Sequence, residues 1–549
     1  MKRLFHILIF TIITMCASAQ SSGVKSCADA VILLTTYNKE GGVIAKSYGV
    51  FIGGDGTAVS LWEPFKGAQR AVVTDAKGKE FPVTGIISKE TIYGFCKFTV
   101  GAKHPGASIA DDKGGSKVWF LPFAKNGKPQ QTNVGATESF MDKYTYYILP
   151  DITGEDIDGC PVCDDNGKVV ALVQKMKTTR GASATDIKYV NALKSRGMDI
   201  NDSDLSQCGI PLVMPDDIEE ARLMLMLSSH FDLSRQKTVA NAFKSKYPKE
   251  IDGYSHLAHV AVAEERFDDA KRIMEDALSN VSGKDKAHFE YANMIYQKET
   301  TMADKPFPSW SIDKAMEEAQ KAVSIDPQPM YRHLVAQIDY VKGDYQKAYD
   351  EFIALTKTNM RNPEVFYEAA QSKAQLQGSD DEILALLDSA VSVCPTPYNS
   401  STAQYLLARG MAYDNAGKYR KAVADYNDYE VAMRGYVGAD FFYLREQCEA
   451  KGRMFQLALN DIEKAIILSP AQPDLRAEKA NVLYRVNEID DAIQTAREVV
   501  EMAPDYSDGY LILGLALIQK GDKAEGLQQL EKAKSLGNTQ AESLIQKYR

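Results

Sequence analysis

The sequence predicts a two-part fold, in which an all-β N-terminal region is followed by an all-α superhelical solenoid of helical pairs. Up to about residue 200, short β-rich runs alternate with glycine-containing turns. From about residue 215, alanines, aromatic residues and prolines recur at fixed offsets. The predicted order is a leader over residues 1–19, the β region over 24–200, a linker over 201–215, the solenoid over 216–538 and a capping helix over 539–549.

The composition argues against two classes of protein, nucleic-acid-binding proteins and disordered chains. The 549 residues carry a formal net charge of -10, and 45% of them are hydrophobic. An acidic balance argues against a nucleic-acid-binding protein, and the hydrophobic content argues against a largely disordered chain. No segment after the leader has the ~18 consecutive apolar residues of a membrane helix, so we expect no integral membrane span.

The leader, MKRLFHILIFTIITMCASAQ, predicts export. It has a positively charged start, an apolar core over residues 4–15 and a small-residue cleavage site at residues 17–19. This pattern is typical of a secretory signal peptide, which places the mature protein in the periplasm or at the cell surface. A lipid anchor on Cys16 is disfavoured, because Met15 stands where a small residue is expected.

The β region reads as an antiparallel barrel or sandwich. Its runs include GVIAKSYGVFIGGDGTAVSLW, AVVTDAKGKEFPVTGIIS and GKVVALVQKM, separated by Gly-Asp-Gly, Ala-Lys-Gly and Asp-Asn-Gly turns. Short strands at close spacing with such turns favour closed or stacked antiparallel sheets. The stretch DIKYVNALKSRG predicts a closing helix that ends at Gly197.

The second half carries an internal repeat. Ala458, Ala465 and Pro470 are spaced by 7 and 5 residues, the same spacing follows Ala492, and Pro470 lies 34 residues before Pro504. A helix-turn-helix unit of 34 residues is the tetratricopeptide signature, so this half is identified as a tetratricopeptide-repeat solenoid. Each pair has an apolar face that it buries only by stacking on its neighbours.

The clearest copy is QYLLARGMAYDNAGKYRKAVADYNDYE. Gly410 and Ala422 are small where two helices should touch, Tyr413 and Tyr426 fill the space between them, and Gly417 marks the turn. We count about eight repeats. One carries an insertion, TTMADKPFPSW, between its helices, and the tail TQAESLIQKYR is suited to cap the last pair.

The first helices of stacked repeats are expected to line a groove that binds a peptide or protein partner. Aromatic and amide side chains suit an extended peptide, whose backbone needs hydrogen-bond partners. Solvated helix faces are the open alternative. A clamp for a terminal carboxylate is not predicted, because Ala477 stands where its lysine would be, although Asn481 matches the pattern. By register, the groove candidates are Met411, Asp414, Asn415, Tyr443, Gln447, Lys451, Asn481, Tyr484 and Arg485.

Residues 30–200 resemble the HtrA-like branch of trypsin-like serine proteases, which have a double β-barrel fold. The stretch YGVFIGGDGTAVSLWEPFKGA is similar to the segment that carries the family's histidine. GKEFPVTGIISKETIYGFCKF resembles the segment that carries its aspartate, and DIDGCPVCDDNGKVVALV resembles the G-N-S-G-G-P segment that carries its serine. The resemblance covers about a third of the chain.

The resemblance implies that the catalytic triad is lost. In that family a histidine takes a proton from the serine and an aspartate orients the histidine. Asp156 and Cys160 also replace two glycines of the oxyanion turn. We expect no protease activity, and we expect the acidic replacements to lie close together. The triad positions hold Glu63 for the histidine, Ile92 (or Tyr93 after a slip of one residue) for the aspartate, and Asp158 for the serine.

Seven cysteines follow the leader, an odd number, so at least one thiol is free or paired between chains. Cys160 and Cys163 form a C-x-x-C motif, but a hairpin turn and a strand follow it rather than a helix. A structural disulfide or two free thiols are therefore favoured over redox catalysis. Cys96 follows the lost aspartate position, so a Cys96–Cys160 bond is an alternative. We predict no cofactor and no metal site.

The sequence therefore predicts an exported scaffold or adaptor that acts by protein–protein interaction. The leader and the domain pairing resemble exported proteins of Bacteroidetes-type bacteria. The alternatives are an endopeptidase with a rearranged active site and a thiol oxidoreductase that uses Cys160 and Cys163. A solenoid that binds copies of itself is a further alternative.

Overall fold

The computed structural model describes residues 21–176 and 181–549. The predicted signal peptide, residues 1–19 with Cys16, lies outside the described residues. The chain divides into two compact units, the first ending at Gly283 and the second spanning Lys284–Arg549. The predicted linker over residues 201–215 lies inside the first unit, and the domain boundaries on either side of it stay predictions.

The N-terminal region is all-β apart from short helices, and it consists of two seven-stranded antiparallel sheets, each curled into a half-barrel. The strand order is β5-β4-β1-β2-β3-β7-β6 in the first sheet and β10-β11-β14-β13-β12-β8-β9 in the second. The strands are Val31–Tyr37 (β1), Val43–Phe51 (β2), Thr57–Leu61 (β3), Arg70–Thr74 (β4), Glu80–Pro82 (β5), Gly85–Glu90 (β6), Phe95–Thr99 (β7), Lys117–Phe120 (β8), Gln130–Asn133 (β9), Ala136–Phe140 (β10), Tyr144–Leu149 (β11), Pro161–Cys163 (β12), Val169–Lys175 (β13) and Ala182–Asp186 (β14).

The hairpin between β12 and β13 forms where the sequence predicts it. The carboxylate of Asp164 accepts hydrogen bonds from the backbone N–H groups of Asn166 (3.0 Å) and Lys168 (2.8 Å). Gly167 has a φ of +80°, and a Cβ atom there would lie 2.1 Å from the backbone of Gly23. The turn therefore needs glycine both for its left-handed conformation and for this close approach.

Besides the 3₁₀-helix Glu63–Phe65, four short helical segments accompany the β region. The closing helix ends at Asn191 rather than at Gly197 as predicted, because Lys97 Nζ binds the carbonyl oxygens of Asn191 (2.6 Å) and Leu193 (3.3 Å). The Asn191 carbonyl, the last of the helix, thus has a partner outside the helix. The segments are the α-helices Ser22–Asp29 (α1), Ile187–Asn191 (α2) and Ser203–Gln207 (α3), and the 3₁₀-helix Gly197–Asn201.

The segment that follows α3 runs along the first sheet. Gly209 N–H donates to the carbonyl of Ala68 (2.8 Å), and Val213 N–H donates to the carbonyl of Ile86 (2.8 Å). Ile86 N–H in turn donates to Pro211 O (2.9 Å). Pro211 and Val213, which lie in the predicted linker, are therefore hydrogen-bonded to Ile86 of β6 in the way that an additional strand would be.

The rest of the chain consists of antiparallel helical pairs, nine of them in the described residues, followed by one more helix. Two pairs belong to the first unit and seven to the second. The helices are Ile218–Ser228 (α4), Leu233–Lys246 (α5), Asp252–Ala263 (α6), Phe267–Asn280 (α7), Lys284–Thr301 (α8), Ile312–Ile325 (α9), Pro329–Lys342 (α10), Tyr345–Leu355 (α11), Pro363–Gln375 (α12), Asp380–Ser392 (α13), Ala403–Asn415 (α14), Tyr419–Ala432 (α15), Ala439–Lys451 (α16), Phe455–Leu468 (α17), Pro473–Arg485 (α18), Ile489–Met502 (α19), Ser507–Lys520 (α20), Lys523–Ser535 (α21) and Ala541–Tyr548 (α22).

The spacing of alanines and prolines has the predicted structural cause. Ala458, Ala465 and Ala492 are fully buried, so these small side chains let neighbouring helices approach. Pro470 and Pro504 each lie two residues beyond the end of a second helix, α17 and α19. The predicted insertion lies between α8 and α9. The repeats that end at Pro470 and Pro504 are therefore helical pairs whose second helix stops just before a proline.

Candidate functional site

The first helices of successive pairs contact one another through polar side chains. His333 Nε2 on α10 lies 2.5 Å from Glu368 Oε2 on α12. Lys451 Nζ on α16 lies 3.1 Å from Asp414 Oδ2 on α14. Gln519 on α20 donates to Asn487, which follows α18, over 2.8 Å. The first helices of the second unit thus share a face with polar groups, which we call the first-helix face.

On α14 and α16 the groove candidates differ in what they contact. Met411 is 46% exposed, and Asn415 is also exposed. Lys451 donates hydrogen bonds to the Asp414 carboxylate, so this pair links α14 to α16 and the carboxylate already has a partner within the chain. Tyr443 and Gln447 are both half-buried, one turn apart on α16, and burial raises the pKa of Tyr443. The phenol and amide remain at the surface of the first-helix face.

On α18 the structure brings two of the three candidates into contact with acidic or aromatic groups. Asn481 Nδ2 donates to Glu478 Oε1 (3.1 Å). Arg485 donates to the carbonyl of Ala450 (3.2 Å), and its guanidinium carbon lies 4.8 Å from the centre of the Phe455 ring. Arg485 is therefore anchored to the preceding repeat. Tyr484 is half-buried on the same helix.

Sequence reasoning missed two buried acids on α16. Glu446 is 0% exposed and Glu449 is 3% exposed, and neither Glu446 oxygen has a hydrogen-bond partner among the described residues. Burial raises the pKa of each carboxyl to about 8, helped by repulsion from Glu478 at Glu446 and from Asp461 at Glu449. The sequence feature that could have indicated Glu446 is its position. It lies three residues after the groove candidate Tyr443, on the side of α16 that faces the next first helix.

A buried ion pair lies beside these acids. Arg445 Nε lies 2.5 Å from Asp461 Oδ2, and its Nη1 lies 2.8 Å from Glu430 Oε2. Arg409 and Asp425 form the same type of pair one repeat earlier, with Nη2 2.7 Å from Oδ1. Both pairs join the first helix of a repeat to its second helix. They fix the orientation of α14 and α16, and hence of the groove candidates that these helices carry.

The second candidate site comprises the triad positions of the β region. Glu63 begins the 3₁₀-helix Glu63–Phe65 after β3, and its side chain is 78% exposed with Lys66 Nζ 2.6 Å away. Asp158 Oδ1 accepts the backbone N–H of Lys175 (2.6 Å), and the Asp158 carbonyl accepts that of Tyr48 (3.0 Å). Each carboxylate is thus engaged by a partner other than the opposite acid.

At the position of the family's aspartate, the chain has an exposed Ile92 and a Tyr93 that packs against other aromatic rings. Ile92 is 75% exposed in the turn between β6 and β7. Tyr93 lies in a cluster of rings, with centroids 4.8 Å from Phe140 and 5.7 Å from Tyr189. The Tyr93 carbonyl accepts a hydrogen bond from Gln174 Nε2 (2.6 Å). Neither residue could orient a histidine by accepting its proton on a carboxylate.

His104 is the one histidine in residues 24–200 of the sequence. Its Nδ1 lies 2.7 Å from the carbonyl oxygen of Pro105, and its Nε2 lies 3.6 Å from Asp75 Oδ2. The ring stacks on Phe51, with centroids 4.0 Å apart. Both ring nitrogens therefore face acceptors, which is the arrangement of a packing histidine rather than of a general base beside a nucleophile.

All seven described cysteines are free thiols, and six of them are buried. Cys160 packs in the core with Val162 and Leu149, whereas Cys163 and Cys96 pack in the other core cluster. Burial raises the pKa of Cys160. A hydrogen bond with Cys27, together with burial, raises the pKa of Cys163. The neighbour of the Cys163 thiol is thus Cys27 rather than Cys160.

Within residues 21–176 and 181–549, no group of three or more His, Cys, Asp or Glu side chains is arranged to hold a metal ion. Over the same ranges, no helix combines the length and apolar character that crossing a bilayer requires.

Comparison with known proteins agrees with the helical repeats. A family model for the tetratricopeptide repeat matches residues 478–541, which include α19, α20 and α21. The C-terminal part of the chain therefore contains tetratricopeptide repeats.

Two curated proteins are similar to parts of the chain. The BBSome complex member BBS4 homolog of Drosophila melanogaster is 20% identical over 297 residues, which are 53% of this chain and 59% of that protein. The Hsp70-Hsp90 organizing protein of Triticum aestivum is 30% identical over 99 residues, 17% of each chain. The matched region thus spans less than two thirds of either relative.

Solved structures match the helical part as well. YrrB, described as a tetratricopeptide-repeat protein with an unusual peptide-binding site, is 21% identical and matches 36% of this chain and 98% of its own, with a TM-score of 0.30. MamA from Desulfovibrio magneticus RS-1 is 18% identical and matches 32% of this chain and 96% of its own, with a TM-score of 0.28.

Proposed function

We propose that this protein is an exported adaptor whose first-helix face binds a peptide segment of a protein partner. The observation that carries the proposal is the row of half-buried phenol and amide groups on successive first helices, with Tyr443 and Gln447 on α16 and Asn481 on α18. Such groups can hydrogen-bond the backbone of an extended peptide. Protein–protein interaction is also what tetratricopeptide repeats suggest in general.

The proposal includes a β region that lacks protease activity and serves as a docking module. The contacts at the triad positions support this part. Glu63 is exposed and paired with Lys66, and the Asp158 carboxylate is bound to a backbone N–H. Hydrolysis by the trypsin-like route needs a nucleophile hydrogen-bonded to a general base. His104, the base that the region offers, has acceptors at both nitrogens.

Burial of the C-x-x-C thiols supports binding over thiol redox chemistry. A thiol oxidoreductase needs an accessible cysteine whose pKa is lowered. Cys160 and Cys163 are both fully buried, and the pKa of each is raised. Export rests on the leader, and we expect the partner in the periplasm or at the cell surface.

The proposal is tested by affinity capture with the full chain from the exported fraction of producing cells, followed by quantitative mass spectrometry. A groove variant combines Tyr443→Ala with Asn481→Ala. A matched control combines Tyr436→Ala with Asn460→Ala, because Tyr436 is 83% exposed and Asn460 is exposed on the second helix α17. We expect a partner that the wild type and the control capture and the groove variant loses. Equal capture by all three proteins would contradict binding at this face.

A further inference from the structure

Glu446 is a buried acid without a partner at the contact between two first helices. Its side chain is 0% exposed, and both carboxylate oxygens lack a hydrogen-bond partner among the described residues. The charges that act on it come from Glu478 and Arg485 on α18, Glu449 on its own helix and Asp461 on α17. A buried carboxyl of this kind costs free energy unless a cation or a proton compensates it.

Further acidic and aromatic groups surround this position. The charges of Asp474 and Glu478 on α18 act on the phenols of both Tyr443 and Tyr506, and the charge of Glu446 acts on Tyr443. All but Glu446 are half-buried, so the cluster reaches the solvent at the first-helix face. We call this set the acidic seam; it consists of Tyr443, Glu446, Asp474, Glu478 and Tyr506.

The neighbouring cationic side chains form contacts with groups outside the acidic seam. Arg485 is anchored to the Ala450 carbonyl and to the Phe455 ring. Lys479 Nζ lies 2.8 Å from Glu463 Oε1 on α17. Lys451 is bonded to Asp414. The acidic seam therefore keeps an excess of negative charge close to the phenols of Tyr443 and Tyr506.

From this arrangement we infer that the acidic seam binds an arginine side chain from an extended basic segment of a protein partner. The inference rests on the proposed function and specifies the chemistry of the partner. Asp474 and Glu478 supply carboxylates for the planar guanidinium fork, and Tyr443 and Tyr506 supply ring faces that attract a cation.

Glu446 links this binding to proton release. Burial and the charge of Glu478 raise the pKa of Glu446 to about 8, so the carboxyl is mostly protonated at pH 7. A bound guanidinium stabilises the ionised carboxylate and lowers this pKa, so the proton leaves when the ligand binds. Affinity should consequently rise with pH from below 7 up to about 8 and then level off.

The probe is a fluorescein-labelled peptide, Gly-Ser-Ser-Arg-Ser-Arg-Ser-Ser-Gly, titrated into the full chain and followed by fluorescence anisotropy. Two matched peptides replace both arginines by citrulline or by glutamate. The seam variant combines Asp474→Asn with Glu478→Gln. The charge-matched control combines Asp490→Asn with Glu525→Gln, since these acids lie on the second helices α19 and α21 and are paired with Lys520 and Arg497. Circular dichroism checks that each variant is folded.

We expect the arginine peptide to bind the wild type and the control, and to bind the seam variant at least ~10-fold more weakly. The citrulline and glutamate peptides should bind weakly to all three proteins. Calorimetry in phosphate and Tris buffers at pH 7 should show proton release for the wild type and none for Glu446→Gln.

Equal affinity for the citrulline peptide, or an unchanged affinity of the seam variant, would overturn the inference while leaving partner binding at the first-helix face intact. Absence of binding by every peptide would overturn it as well. The affinity capture with the groove variant decides the proposed function separately, because it does not depend on the charge of the partner.

Discussion

A Cβ atom on Gly410 would lie 2.6 Å from Cε1 of Tyr426, so the backbone of α14 touches a tyrosine ring of α15. Tyr426 is fully buried at this contact. Atoms this close overlap strongly, and a fully buried ring has little room to move. The pairing of a small residue with a large ring thus sets the distance between the two helices of this repeat.

Gly410→Ala should therefore destabilise the protein. A helix interior normally gains about 1 kcal/mol from this change, but overpacking against Tyr426 should cost more, with a net loss of about 1–2 kcal/mol. Thermal unfolding followed by circular dichroism measures the effect. Adding Tyr426→Leu should recover part of the loss, whereas a double variant no more stable than Gly410→Ala would argue against the ring contact as the cause.

Removing one member of the buried Arg445–Asp461 pair should be costly. Arg445→Met leaves Asp461 almost buried, with Lys464 3.1 Å away as its remaining cation. We expect a loss of about 3 kcal/mol, because the buried Asp461 carboxylate loses its contacts with Arg445 and keeps only the half-exposed Lys464 as a cation. The double variant Arg445→Met/Asp461→Leu should be more stable than the single variant in urea unfolding. Equal stability of the two variants would show that the stranded carboxylate is not the source of the loss.

Glu446 should make the stability depend on pH. Its pKa is about 8 in the folded state and about 4.3 in an unfolded chain. Between these values the folded state holds the proton that the unfolded state has lost, so stability falls as pH rises through this window. Glu446→Gln should remove this cost and stabilise the protein by up to about 5 kcal/mol at pH 8.5, with little gain at pH 4.5.

Urea unfolding at the two pH values measures this difference. The control is Glu463→Gln on the second helix α17, where the carboxylate is about half exposed and paired with Lys479. The control should change little between pH 4.5 and pH 8.5. A gain from Glu446→Gln that is equal at both values would contradict the raised pKa of Glu446.

We expect Asp158 to contribute to the stability of the fold and not to peptide hydrolysis. Asp158→Ala removes the acceptor of the Lys175 N–H, a charge-assisted hydrogen bond, and we expect a loss of about 1–2 kcal/mol in stability. The hydrolysis rate of a mixed fluorogenic peptide library should equal the background for both the wild type and the variant. Hydrolysis by the wild type that disappears in Asp158→Ala would instead show an active centre in the β region.

The helical repeats could be predicted from the sequence because their spacing is a local signal. Burial of Ala458, Ala465 and Ala492 follows directly from the period. The two antiparallel β-sheets were likewise indicated by turns such as that at Gly167, which needs a left-handed backbone. The early end of α2 could not be predicted, because the cause is Lys97, which is distant in sequence and binds the terminal carbonyl.

The acidic seam could not be predicted from the sequence pattern either. Period and register placed Tyr443 and Asn481 on first helices, but they do not reveal which side chains meet between neighbouring repeats. The burial of Glu446 depends on α18, whose Glu478 and Arg485 face it. The contact between Cys163 and Cys27 has the same origin, since it joins β12 to the distant helix α1.

Site-specific photo-crosslinking in producing cells tests the central claim most directly. Benzoylphenylalanine is placed singly at the positions of Tyr443, Tyr484 and Tyr436, and the adducts are identified by mass spectrometry. Our account predicts that one partner protein crosslinks at the first two positions, on the first-helix face, and not at Tyr436 in the turn between α15 and α16. Adducts of equal yield at all three positions, or adducts at Tyr436 alone, would contradict it.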